Sequence, residues 1–227
     1  MKNDSLRHIA FIMDGNRRWA KKNKLPAFSG HKEGLEAAKR IVKRGVELKI
    51  PYMTFYAFST ENWKRTEKEI NYLMDLIVIY LKNELDFYIK NKIRLIHIGD
   101  INALPKKVRD SLINAQNNTK DFTDMQVALA INYGGRDEII RAFNSFLKSK
   151  EEILTENNFN DYLDTKDFCD VDLLVRSSFE YRISNFLLWQ ISYAEFYFSD
   201  KLWPDWQEDD LDEILKIYNL RERRFGN

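Results

Sequence analysis

The stretch His8-Ile9-Ala10-Phe11-Ile12-Met13-Asp14-Gly15-Asn16-Arg17-Arg18-Trp19 decides how the chain is read. Ile9–Met13 is a continuous apolar run without polar alternation. It is too short for a helix, and an unbroken run of this length suits a strand covered on both faces, as in a parallel sheet. It stops abruptly at Asp14-Gly15. Working outward, similar runs recur at Met53–Phe58, Ile93–Ile98, Met125–Ile131, Leu173–Val175 and Phe196–Phe198. Helical patterns separate them at Lys32–Leu48, Glu67–Lys90, Lys106–Asn118, Arg136–Lys148 and Asp209–Arg224. Strands alternating with helices predict an α/β fold. The expectation is one domain spanning 1–227, with a mainly parallel sheet of about six strands flanked by helices.

In such sheets ligands gather beyond the carboxyl ends of the strands. Four polar clusters fall at those places: Asp14–Trp19, Ser59–Arg65, Asn132–Arg136 and Arg176–Ser184. Asp14 at a strand end can hold Mg²⁺ against phosphate oxygens. Gly15 lets backbone approach a ligand, the helix start after it offers N–H groups to an anion, and Arg18 can grip phosphate with two parallel bonds. The plainer alternative is an Asp helix cap with solvated arginines. Ser59–Arg65 could equally be a capped turn, with Trp63 as packing. Arg176 and Arg182 with nearby hydroxyls make a diphosphate cradle or a surface ion-pair loop. Glu195 lies in an aromatic stretch and needs a partner, for which a metal is one candidate. His31 follows Gly30 at a helix start, where a cap or core role is commoner than phosphate binding; His8 and His97 read as structural.

Composition removes other classes. Lys plus Arg number 36 against 35 for Asp plus Glu, so the net charge of +1 gives no global field for nucleic acid. Cys169 is the only cysteine, which excludes an intrachain disulfide framework and fits a reducing, cytoplasmic setting. No run reaches the ~20 apolar residues of a membrane span, and the polar Met1–Arg7 with its short apolar successor is not a signal peptide.

Taken together, these runs resemble the cis-prenyltransferase family, in particular its bacterial undecaprenyl diphosphate synthases. The resemblance covers nearly the whole chain: His8–Ala20, Gly30–Gly34, Tyr56–Trp63, Asn132–Arg136, Arg182–Gln190, Tyr193–Glu195, Leu202–Pro204 and Arg221–Gly226. It implies a Mg²⁺-dependent enzyme that adds isopentenyl diphosphate to an allylic diphosphate, farnesyl diphosphate being the expected primer. The implied product is a long cis-polyprenyl diphosphate, undecaprenyl diphosphate, used as a lipid carrier for cell-wall glycans.

The resemblance also implies roles. Asp14 carries the Mg²⁺–diphosphate, and Glu195 matches the second metal-site acid. Gly15, Asn16, Arg17 and Arg18 cradle the allylic diphosphate with His31 nearby, and Trp19 belongs to the same substrate-binding run. Ser59, Thr60, Glu61, Asn62, Trp63 and Arg65 organise the reacting region, with Asn62 the family's candidate for assisting proton removal. Arg176, Arg182, Ile183 and Ser184 bind isopentenyl diphosphate. Arg224-Phe225-Gly226 matches a terminal motif that reaches a neighbouring subunit, implying a homodimer. An apolar tunnel is expected for the product, with Glu67–Lys90 as a wall, Met125–Ile131 as a floor and Met125 near its limit. The lipid product implies peripheral contact with the inner face of the membrane.

Three departures stand out: Ala27 where many members have Arg, with Lys24 the conceivable substitute; Tyr181 where His is frequent; and Ser177-Ser178-Phe179 where Thr-Gly-Gly is common. Asp209-Asp210-Leu211-Asp212-Glu213 invites an all-trans prenyltransferase reading, but acids there suit the first turn of a helix. A phosphohydrolase built on Asp14 lacks a second Asp at position 16. A non-catalytic subunit would lack the strand-end residues that this chain keeps.

Overall fold

Six strands, β1 (His8–Ile12), β2 (Tyr52–Ser59), β3 (Ile93–Ile98), β4 (Met125–Tyr133), β5 (Leu173–Arg176) and β6 (Glu195–Phe198), form one sheet. Their order is β3-β4-β2-β1-β5-β6, and every neighbouring pair is parallel. The computed structural model describes residues 6–221. Each run read as a strand is one, most of them extended by a residue or two where the ladder continues past the apolar stretch; β1 instead starts one residue early, at His8, and ends at Ile12, leaving Met13 outside it.

Why β1 is continuously apolar is now visible. It is central, and all five of its residues are buried. Ile9 and Phe11 enter one core with Met53, Phe55, Leu173 and Val175. Ala10 and Ile12 enter the opposite core with Ala128, Ala130 and Leu174. Successive side chains point to opposite faces of a strand, so a strand with helices on both sides has no polar position to offer. His8 is the exception, fully buried, with Nδ1 at 2.8 Å from the Cys169 carbonyl and Nε2 at 2.8 Å from Thr54 Oγ1. Burial pushes its pKa down to about 4, so it serves the fold as a neutral ring. His97 likewise bonds the Ile131 carbonyl.

The helices are α1 (Asn16–Lys22), α2 (Ala27–Glu47), α3 (Glu67–Lys90), α4 (Lys106–Thr119), α5 (Gly135–Phe146), α6 (Glu156–Phe159) and α7 (Glu208–Asn219). The boundaries of α3 match the expectation, its start set by the Thr66 side chain accepting from the Glu69 N–H. The expectation for α2 was wrong at its start: the helix begins at Ala27, capped by Pro26. A proline's fixed φ suits a helix entry, and Gly30 lies inside the first turns. α7 ends at Asn219 rather than Arg224, and Arg224-Phe225-Gly226 lies outside the described residues. The acids of α7 are a helix start: Asp210 closes a capping box with Gln207 and pairs with Lys201 at 2.6 Å, and Asp212 pairs with Arg44 at 2.9 Å. Two of the four acids that an all-trans metal motif would need, Asp210 and Asp212, are thus committed to the helix start and to ion pairs.

Candidate active site

The four polar clusters follow β4, β2, β1 and β5, which are consecutive in the sheet. Strand order therefore brings them together at one edge, although they are far apart in sequence.

Around Asp14 the arrangement is tight. Its Oδ1 accepts from the Gly15 N–H at 2.6 Å and its Oδ2 from Arg176 Nη2 at 2.9 Å. Arg176 is almost wholly buried, with 4% of its side chain exposed, and its Nη1 also bonds Ser184 Oγ at 2.8 Å and the Arg182 carbonyl. Arg18 donates to the Ser178 carbonyl at 2.8 Å, and its Nη2 lies 3.4 Å from Asp14 and 3.2 Å from Glu180. Glu180 pairs with Arg182 as well. Thus Arg18, Arg176, Arg182 and Ser184 surround the two carboxylates Asp14 and Glu180. Glu180 was not singled out in sequence, since one acid in a mixed loop carries no periodic signal.

Gly15 has φ +101°, and a Cβ there would stand 2.5 Å from Ser178 Oγ. What approaches the glycine so closely is thus the Arg176–Ser184 loop. That loop keeps left-handed backbone at Ser178 (φ 85°) and Phe179 (φ 59°), conformations that glycine favours. The departure at Ser177-Ser178-Phe179 leaves the backbone in a glycine-like path, held at a cost of about 1–3 kcal/mol per strained residue. Asn16 Oδ1, Arg176 Nε and Ser178 Oγ are buried here without a hydrogen-bond partner. Unmet buried polar atoms cost about 1–3 kcal/mol each, and a group of them suits a place where polar ligand atoms complete the bonding.

A second cationic group lies on the other side of the α1 start. Glu69 holds Arg65 at 2.8 Å and Arg17 at 3.7 Å. Burial foremost, then the charge of Arg65, lowers the His31 pKa to about 4; Glu69 pulls the other way, and Arg17 adds a smaller push downward. His31 is therefore neutral at pH 7 and adds no cation. Inorganic pyrophosphate bound between these arginines should cancel their field and raise the His31 pKa. Affinity should then strengthen as pH falls toward the free-state value, because binding takes up a proton. An NMR titration of the His31 ring with and without pyrophosphate checks this; an unchanged pKa would place the anion elsewhere.

The Ser59–Arg65 cluster is a short 3₁₀ turn, Thr60–Lys64. Asn62 Oδ1 accepts from the Ser59 N–H at 3.1 Å, closing a capping box. A backbone N–H requires an oxygen, so the Asn62 carbonyl oxygen is engaged and its NH₂ is the group left to meet a ligand. The Trp63 indole donates to Asn132 Oδ1 at 2.7 Å, tying the turn to the end of β4. Glu61 Oε1 accepts from Asn185 Nδ2 at 3.0 Å, and Asn185 Oδ1 accepts from the Arg136 N–H at 2.9 Å. Thr60 Oγ1 donates to Glu61 Oε2 at 3.3 Å. Glu69 and Asn185, the residues that bind these clusters together, were also missed in sequence.

Not every expected site residue joins these groups. The Trp19 indole donates to Asp205 at 2.6 Å, fastening α1 to the Trp203–Asp205 turn. Ile183 packs on the core beneath the Ala128 face of the sheet. Glu195 begins β6 and is level with Leu173 and hence with Ile9, at the amino ends of the strands. Asp14 is five residues beyond Ile9, about 16 Å along the strand direction at ~3.3 Å per residue. The two acids cannot share an ion within one chain. The partner that Glu195 needs is Arg221, at 2.7 Å.

Beside the arginines, an apolar cleft opens between α2 and α3, lined by Asn16, His31, Leu35, Ala57, Leu73 and Ile77 among others.

Comparison with known proteins agrees with this geometry. The undecaprenyl diphosphate synthase family model matches residues 12–226. The chain belongs to the cis-prenyltransferase family. It is 50% identical to an isoprenyl transferase of Treponema denticola over 99% of both chains. It is 46% identical to that of Clostridium perfringens, over 97% of this chain and 89% of the relative. Among solved structures, lavandulyl diphosphate synthase from Lavandula x intermedia, in complex with dimethylallyl diphosphate, superposes with a TM-score of 0.94 at 33% identity, covering 98% and 99% of the two chains. A probable undecaprenyl diphosphate synthase from Campylobacter jejuni gives 0.85 at 39% identity, covering 99% and 100%. As an enzyme of this family, the chain elongates prenyl diphosphates.

Proposed function

We propose that this prenyltransferase adds isopentenyl diphosphate repeatedly to an allylic diphosphate, farnesyl diphosphate being the expected primer, to give undecaprenyl diphosphate. The observation that carries this is two separate arginine groups flanking the α1 start beside one apolar cavity. Two diphosphates and one growing hydrocarbon need that combination. Arg17, Arg65 and His31, with the Gly15–Arg18 backbone, hold the allylic diphosphate. Arg176, Arg182 and Ser184 hold isopentenyl diphosphate.

In the reaction the allylic C–O bond breaks, its electron pair leaving with the diphosphate. The isopentenyl double bond attacks the allylic carbon, and loss of a proton creates the new cis double bond. Arg17, Arg18 and Arg65 stabilise the charge that develops on the departing group. Asn62, with its oxygen engaged, orients a phosphate or water by donation, and a diphosphate oxygen or water accepts the proton.

The donor set fits Mg²⁺. Among the described residues no group of three or more His, Cys, Asp or Glu could cage a metal. Asp14, 31% exposed, presents hard oxygens beside a diphosphate cradle. Mg²⁺ characteristically takes one or two carboxylates and fills its octahedron with phosphate oxygens and water. Bound there, it would neutralise diphosphate charge. Glu195 could contribute only to the Asp14 of a second copy, an arrangement open to the homodimer implied by the terminal motif.

Among the described residues no helix is long and apolar enough to cross a membrane. We place the enzyme in the cytoplasm, touching the inner membrane face through its lipid product, which serves as a carrier for cell-wall glycans. The test combines protein, Mg²⁺, farnesyl diphosphate and labelled isopentenyl diphosphate, followed by sizing of the extracted lipid. The expected product is a long polyprenyl chain. A product only one C5 unit longer than its primer would favour a short-chain synthase, and no incorporation by folded protein would overturn the reading.

A further inference from the structure

The residues that join α1 to α2, 21–28, are all exposed. They include Lys21, Lys22 and Lys24, and Lys32, also exposed, follows on α2. From 21 to 32 the sequence has no acid. Among the described residues none of these four lysines is held in an ion pair, and the next acid, Glu33, is engaged by Arg40 at 3.3 Å. In a chain of net charge +1 this is a local cationic patch.

The same stretch turns apolar side chains to solvent: Leu25 is 45% exposed and Phe28 52%. Neither sits on a loose tail. Lys24 is left-handed, with φ 57°. The Lys24 N–H donates to the Lys21 carbonyl at 3.1 Å and the Leu25 N–H to the Ala20 carbonyl at 2.9 Å, which closes the turn. The Phe28 carbonyl accepts from the Tyr72 hydroxyl at 3.2 Å, and the two rings are 5.7 Å apart. Helices α2 and α3 run side by side in the same direction, since Phe28 meets Tyr72 and Lys39 meets Glu84. Tyr72, Leu76 and Ile79 form one stripe along α3. Leu76 lines the cleft, and Ile79 is exposed. Phe28 and Ile79 therefore stand on the rim of the cleft, with Leu25 and the lysines next to them.

A lone exposed apolar side chain is ordinary. Rigid apolar residues interleaved with unpaired lysines are what an interfacial element needs: the first enter the acyl boundary and the second meet anionic headgroups. We propose that residues 21–28, with Lys32 and Ile79, seat this enzyme on an anionic phospholipid bilayer, so that the cleft between α2 and α3 opens against the lipid. A hydrocarbon leaving the cleft sideways then enters the acyl layer without crossing water. Only this consequence rests on the elongation reading above; the surface itself does not.

The test is flotation with vesicles of phosphatidylcholine plus phosphatidylglycerol, or of phosphatidylcholine alone, without substrate. Wild-type protein should bind the anionic vesicles, more weakly as salt rises, and bind the neutral ones far less. Each lysine removed should weaken partitioning about fivefold, so the Lys21→Gln, Lys22→Gln double variant should lose about 25-fold. Leu25→Ser should also weaken binding, whereas Ile113→Ser, at an exposed apolar position on α4, should not. No binding to anionic vesicles overturns the proposal, as does binding that the Lys21, Lys22 and Leu25 variants leave intact or that Ile113→Ser weakens as much. Competition by millimolar glycerol phosphate would make this a site for free anions, and dissociation of an oligomer by Leu25→Ser would make it an interface between copies of the chain; either result overturns the proposal. Prenyl transfer assayed in parallel keeps the two readings apart: wild type that binds vesicles but incorporates no isopentenyl diphosphate removes elongation and leaves the surface, and the reverse result removes only the surface.

Discussion

Asp14→Asn is expected to lower kcat/KM for prenyl transfer by at least about 10³-fold, a loss of ~4 kcal/mol in transition-state stabilisation. The substitution keeps the size of the side chain and one acceptor oxygen. That oxygen can still take the Gly15 N–H, but the amide NH₂ then faces Arg176 Nη2, which donates to Asp14 Oδ2 in the wild type. Arg176 keeps its bonds to the Ser184 hydroxyl and the Arg182 carbonyl, so the fold should lose only about 1–3 kcal/mol. What disappears is the carboxylate that, in the proposed reaction, would offer oxygens to a metal–diphosphate. Asp14→Ala should combine the same kinetic loss with a larger fall in stability, about 3–5 kcal/mol, because it leaves a buried guanidinium without its anion. Urea unfolding and steady-state kinetics on both variants separate the two effects. If Asp14→Asn keeps a tenth or more of wild-type activity, the essential acid lies elsewhere, and Glu180 on the same Arg18 guanidinium is the next to test.

Much of this site could be read in the sequence because it follows from strand ends. A buried strand whose apolar run stops before Asp14 has to place that residue at an edge, and the strand order then gathers the other clusters beside it. The residues that bridge clusters were not legible. Glu69 lies on the exposed start of α3 and looks like an ordinary first-turn acid, yet it holds Arg17 and Arg65. Asn185 and Glu180 lie in a loop without periodicity, and the contacts by which they bridge clusters, to Glu61, Arg136 and Arg18, are far away in sequence. Glu195 shows the converse failure. Its place in a family motif says nothing of which end of a strand it occupies, and register alone reveals that it faces away from Asp14. Tyr80 and Tyr88, whose hydroxyls bond each other at 2.8 Å, read in sequence as two more aromatic positions on an amphipathic helix, because hydrogen bonding inside a core leaves periodicity unchanged.

Gly30→Ala should be the most damaging substitution among residues that touch no substrate. A Cβ at position 30 would stand 1.9 Å from the backbone carbonyl oxygen of Asn16, and backbone cannot swing aside as a side chain can. One turn later, a Cβ at Gly34 would stand 2.3 Å from Asn16 Oδ1, a side-chain atom. These two glycines form the groove on α2 that receives the start of α1. Filling it at Gly30 must push Asn16 outward by about an ångström or more, taking the backbone of Arg17 and Arg18 with it. Displacement on that scale costs about 10²-fold in rate when the moved groups orient a reacting diphosphate, and overpacking adds ~1–3 kcal/mol of destabilisation. Gly34→Ala should be milder in both respects, since rotation of the Asn16 amide relieves part of the clash. The ranking checks the geometry without relying on any one magnitude. Equal kcat/KM losses for the two variants would mean that α1 is not held by close backbone contact, and wild-type activity in Gly30→Ala would mean that the start of α1 does not position the diphosphate.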